Sequence, residues 1–157
     1  MTGTLLNKEF KMNLLPIKAI LFLVAATPCL AFAQQLPPCV ELAANEHNVP
    51  VNVFKAIVLV TQSQQTSKNA NQIEVGALGM HHKAAEIAAK GLNTNVQKIH
   101  SDKCTSYRAA AWWLANVSGL TKDADWAAVN RYFHGSSAQH ELPVVQRVRI
   151  AYEQLNR

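Results

Sequence analysis

The sequence predicts a single small all-α domain, closed by one disulfide and carried behind an export signal. Three observations carry that prediction. Apolar residues recur at helical spacing through most of the chain beyond residue 37. Only Cys39 and Cys104 lie outside the first 33 residues, an even pair. The first 33 residues themselves have the layout of a secretory leader.

In that leader, Lys8, Lys11 and Lys18 precede an apolar run from Ala19 to Ala33 that is broken by Thr27 and Pro28. A membrane span needs about 20 predominantly apolar residues, and this run is shorter and interrupted. Ala31-Phe32-Ala33 supplies the small-x-small pattern that signal peptidase accepts, so cleavage is expected after Ala33. Met1 and Met12 both serve as starts, because Lys18 alone still leaves a positive flank. Cys29 is set aside as a lipidation site, since Thr27-Pro28 directly before it suit that processing poorly. The expected organisation is therefore a signal peptide over 1–33 and one domain over 34–157, with no stable membrane span left after processing.

Removing the leader takes away Lys8, Lys11, Lys18 and Glu9, so the formal charge of +5 falls by two, to +3. That mild basicity suits loose attraction to anionic wall polymers or lipid surfaces. Nucleic acid as a partner is excluded, because no dense Lys/Arg stripe occupies one face. The two remaining cysteines, in an exported chain, imply one disulfide closing a long loop.

Each element follows from local pattern. Cys39 to Glu46 reads as a short helix, ended by Asn45, His47, Asn48 and Pro50. Val53 to Val60 is a nearly unbroken apolar run that fits a buried strand or a helix buried on all sides, with Asn52 as N-cap in the helical case. Gln62 to Gln72 is polar and reads as a surface loop. Ile73 to Met80 is compact and punctuated by Gly76 and Gly79. A helix over Lys83–Lys90 follows, with Gly91 at the C′ position that tolerates positive φ. Asn93 to Ile99 makes a short turn or helix, and Thr105 to Val117 an alanine-rich helix bearing Trp112 and Trp113. Asp123 or Asp125 caps Trp126–Phe133, and Leu142–Leu155 forms a final amphipathic helix.

The order of these segments resembles the lysozyme-like lytic transglycosylases, and most of all the small ones of conjugation, type IV secretion and pilus systems. Cys39-Val40-Glu41-Leu42-Ala43-Ala44, then Asn48-Val49-Pro50 and Ala56-Ile57, is similar to the family's Cys-led helix, "GVP" turn and "AIxxVE" helix. Asn69-Ala70-Asn71 and Glu74 to His81 look like its "NTNG…DIGPMQIN" loop, and Asp102-Lys103-Cys104-Thr105 like "DPCTN". Ala110 to Leu114 resembles "GAWIL", and Ala128 to Gly135 the late "AVxxYHSG" motif. The resemblance implies a lysozyme-like helical fold, helix rather than strand over Val53–Val60, pairing of Cys39 with Cys104, and a periplasmic location. It implies peptidoglycan glycan strands as partner, secretion or pilus apparatus proteins as further partners, and no cofactor. It also implies a sugar cleft contributed by Asn69, Asn71, Glu74, Gly76, Met80, His81, Tyr132 and His134.

One departure changes the expected chemistry. A lytic transglycosylase uses a single Glu to protonate the glycosidic oxygen and then to take a proton from the attacking muramic hydroxyl. Here the aligned position reads Thr61, or Gln62 with a slip of one residue, and neither can act as a general acid. Loss of that acid–base contribution costs about 10²- to 10⁴-fold in rate. The family's Gln and Asn in "MQIN" read as Gly79 and His81, so the support has drifted as well. Glu74 is the candidate displaced acid, while Glu41, Glu46, Glu86, Glu141 and Glu153 fall on solvated helix faces or ends. His47, His81, His82, His100, His134 and His140 carry no metal-ligand spacing, so no metal is expected.

Three readings therefore stand: a degenerate member that holds glycan without cutting it, an active enzyme using Glu74, and a periplasmic assembly factor for a protein partner. An open groove bringing the cleft residues together separates the first two from the third.

Overall fold

The computed structural model describes residues 36–65, 74–121, 123–135 and 140–157. The expected leader with its cleavage site at Ala33, and the candidates Asn69 and Asn71, lie outside the described residues. Seven helices and one two-stranded hairpin make up the described chain. They are α1 (Pro38–Glu46), α2 (Val51–Gln65), β1 (Glu74–Val75), β2 (Met80–His81), α3 (His82–Gly91), α4 (Val96–Ser101), α5 (Lys103–Asn116), α6 (Trp126–His134) and α7 (Pro143–Leu155). The fold is all-α but for that hairpin. Among the described residues no helix is long and apolar enough to cross a membrane.

The ambiguous apolar run is the helix α2. Val53, Phe54, Ala56, Ile57 and Val58 are fully buried, and α1 and α7 both pack on it. A helix apolar on nearly every side must be surrounded, and burial of each large side chain is worth about 1.5–3 kcal/mol, which outweighs the weak strand preference of Val and Ile. The helix also runs on to Gln65, past the point where polarity suggested a loop. The hydroxyls of Thr61 and Ser63 donate back to the carbonyls of Ile57 and Val60, at 2.8 and 2.7 Å, so these polar residues stay within the helix. Asn52 is not the cap: it lies inside the helix and donates to Asn156 Oδ1 at 2.7 Å.

Helix α5 is the hub. Its buried residues Ala109, Ala110 and Ala111 are small enough to let α1, α3, α4 and α6 approach it closely. Asp102 caps it, accepting from Thr105 N at 2.9 Å. Gly91 has a different role from the one its position suggested, because the left-handed conformation falls instead on Asn93, with φ of 50°. Gly91 ends α3, and a methyl group there would collide with the indole of Trp112. The hairpin is the other departure from an all-helical reading. Val75 pairs with Met80 across a turn in which Gly76 (φ 75°) and Gly79 (φ 59°) take conformations that β-carbons disfavour.

Two ties fasten α1 to α5. Cys39 and Cys104 form the disulfide, with Cα atoms 5.5 Å apart and a separation of 65 positions in sequence. In the chain-entropy model a closure of that length is worth about 4 kcal/mol. Arg108 grips Glu46 with two nitrogens, at 2.7 and 2.5 Å, which holds the Glu46 carboxyl below its ordinary range. Both partners are more than a third exposed, so solvent screens the pair to about 1 kcal/mol or less.

Next to this pair, the imidazole of His47 is largely buried and its Nε2 finds no hydrogen bond among the described residues. Burial lowers its pKa below the ordinary 6.5; Glu46 opposes that shift and Arg108 adds to it. The folded state therefore binds fewer protons at His47 than the unfolded chain, and stability present above about pH 6.5 drains away as the pH falls. The unfolding free energy is expected to drop measurably between pH 7 and pH 5, and to drop less in His47→Gln. Equal slopes for the two proteins in urea titrations would contradict this assignment.

Candidate functional site

A cleft of about 520 Å³ opens between α2, the hairpin, α3 and α6, with Trp113 of α5 on its wall. Thr61 reaches it from α2, Glu74 and Met80 from the hairpin, and Tyr132 and His134 from α6. His81, which caps α3 by accepting from Lys83 N at 3.3 Å, also lines it. Residues 73 positions apart in sequence thus meet in one groove.

Thr61 and Gln62 point in different directions. Thr61 faces the cleft and its hydroxyl hydrogen is committed to the Ile57 carbonyl. Gln62 turns away and donates to the Tyr107 hydroxyl at 2.9 Å. The position at which the resemblance places an acid therefore carries no acid, and nothing at Thr61 can lend a proton of comparable acidity.

Gly76 is not among the lining residues. It backs onto α4 and α5, where a β-carbon would fall 2.7 Å from the Ile99 carbonyl of α4 and inside the contact distance of the Ser106 hydroxyl of α5. Gly79 does line the cleft. A β-carbon there would sit 2.6 Å from Glu74 Oε2, so the Glu74 carboxylate occupies the notch that a side chain at 79 would fill. That places one carboxylate in the cleft, on the strand rather than on α2.

The sequence did not single out Lys83 and Ile87 of α3, nor Phe133 of α6, although all three line the groove. Lys83 and Ile87 are one helical turn apart, which is the one signal that could have paired them. Of the two tryptophans at the end of α5, Trp112 packs over Gly91 while Trp113 lines the cleft. The walls are mixed: Leu78, Met80, Ile87, Trp113 and Phe133 are apolar, against Glu74, Lys83, His81 and His134. Arg131 also reaches the cleft but is engaged, donating to the Ser118 carbonyl at 2.9 Å and to Asp125 at 3.4 Å. Among the described residues no group of three His, Cys, Asp or Glu converges to hold a metal ion.

Tyr132 is the chemically distinctive member. Its ring stacks edge-on against Phe133, with centroids 5.0 Å apart, and is only partly exposed. Its hydroxyl is buried and has no hydrogen-bond partner among the described residues. Burial raises its pKa far above the ordinary phenol value, so it remains a neutral donor.

No family model, curated protein sequence or solved structure matches this chain.

A buried, unpaired hydroxyl costs stability. Tyr132→Phe is expected to raise the unfolding free energy by about 1 kcal/mol while weakening whatever binding the cleft supports. Loss of stability in that variant, read by chemical denaturation, would show that the hydroxyl is already satisfied in the free protein.

Proposed function

We propose that this protein is a lysozyme-like, catalytically silent relative of the lytic transglycosylases, which holds peptidoglycan glycan strands in its cleft without cutting them. It would do so in the periplasm, beside a conjugation, secretion or pilus apparatus that has to cross the wall. The observation that carries this reading is the open cleft itself. Thr61, Glu74, Met80, His81, Tyr132 and His134, named from the resemblance across the whole domain, line one groove, and the helix position expected to supply the acid supplies a helix-bonded hydroxyl.

Other features support it. A groove of this size with an aromatic wall and a few polar groups suits a sugar ring, whose faces stack on Trp113 and whose hydroxyls seek Glu74. The Cys39–Cys104 bridge agrees with an oxidising compartment.

A second reading rests on a specific observation, the Glu74 carboxylate seated in the Gly79 notch within the cleft. In that reading Glu74 is the displaced acid and the protein is an active lytic transglycosylase. A periplasmic assembly factor that binds a protein partner remains the third reading, and it has the least to say about why the cleft is open.

Digestion of purified peptidoglycan, with soluble products resolved by mass spectrometry and binding to insoluble sacculi measured alongside, separates the three. The expected result is retention on sacculi with no release of anhydro-muropeptides, and weaker retention in Trp113→Ala. Release of anhydro-muropeptides that disappears in Glu74→Gln would establish the second reading instead. Absence of both release and retention would leave the protein-partner reading.

A further inference from the structure

The first two turns of α5 join the disulfide to the cleft. Cys104, in the first turn, is solvent-exposed and bridges to the partly buried Cys39 of α1. Two residues on, the fully buried Ser106 accepts the Ala77 amide at 2.7 Å, and Gly76 lies directly against it. That turn leads straight into Leu78, Gly79 and Met80, which line the cleft. Tyr107, also buried, accepts from Gln62, the neighbour of Thr61 on the opposite wall. One short stretch of helix therefore carries the bridge, the loop anchor and an α2 anchor on three successive sides.

We propose that Cys39–Cys104 is a thiol–disulfide exchange site whose redox state sets the order of the cleft loop over residues 74–81. The reductant is a dithiol, either a small molecule or the paired cysteines of an oxidoreductase. Its thiolate attacks the exposed Cys104 sulfur, a mixed disulfide forms, and the Cys39–Cys104 bond breaks as Cys39 leaves and takes a proton from water. The donor's second thiol then attacks the mixed disulfide, freeing Cys104 as a thiol while the donor departs as its own disulfide. Two electrons pass from donor to bridge.

The consequence is local because α1 has a second fastening. Glu46 stays clamped by Arg108 one turn along α5, and Val40, Ala43 and Ala44 stay buried beneath α1. Reduction frees the Cys104 end alone, and the disturbance reaches Ser106 within one helical turn. The Ala77 amide ties the loop to the Ser106 hydroxyl.

Amide nuclear magnetic resonance of the ¹⁵N-labelled protein, titrated with dithiothreitol at low temperature, tests the idea. The expected result is displacement of the 74–81 cross-peaks in step with reduction of the bridge, while those of α7 hold still. Ser106→Ala with the bridge intact is expected to displace the same loop peaks. Movement confined to residues beside Cys39 and Cys104, collapse of the whole spectrum, or an unmoved loop in Ser106→Ala would each overturn the proposal. If the glycan reading above also holds, sacculus binding falls about tenfold on reduction. A moved loop in a protein that does not bind sacculi even when oxidised would count against that reading and not against the redox coupling.

Discussion

The hydrogen bond from the Ala77 amide to the buried Ser106 hydroxyl fixes the geometry on which the cleft depends. It exists because Gly76 brings backbone to within a distance of α5 that no side chain permits, and because Ser106 is small enough to lie beneath it. A buried amide without that acceptor would cost about 1–3 kcal/mol, so the turn and the helix specify each other. From there the chain has little freedom. Glu74 and His81 come into register across the hairpin, His81 caps α3, and the carboxylate of Glu74 drops into the notch above Gly79.

Beneath that contact lies the packing of α5. Its alanines let four helices converge, and two of them, α3 and α6, bring parts of the groove within reach. α3 contributes Lys83 and Ile87, α6 contributes Tyr132 and Phe133, and α5 itself contributes Trp113. The groove is thus a product of close helix packing with short side chains at the centre and large ones at the rim. The buried hydroxyl of Tyr132 is a polar group retained at a cost to stability.

Much of this was legible in the residues. Helical periodicity, the Asp125 position before α6, and the pairing of the two cysteines all have direct physical signals in one dimension. The failures have physical causes as well. Gln62 to Gln65 looked like loop because polarity was taken for exposure, whereas Gln62 is bonded across to Tyr107 and the neighbouring hydroxyls bond back along the helix. Gly91 looked like a cap because glycine serves that end so often, whereas the indole of Trp112, distant in sequence, is what requires it. Gly76 looked like a cleft residue, although its neighbours are Ser106 and Ile99. Lys83, Ile87 and Trp113 reach the groove through α3–α5 packing, which no local pattern encodes.

The account stands or falls on whether the groove between Thr61, Glu74, Trp113 and Tyr132 binds a glycan. Titration of the oxidised, ¹⁵N-labelled protein with a soluble, uncrosslinked peptidoglycan fragment addresses that directly. Saturable displacement of the Thr61, Glu74 and Tyr132 amides and the Trp113 indole signal, with the fragment recovered uncut, is the predicted result. Unmoved cleft signals at millimolar fragment, or displacement confined to another face, would contradict it.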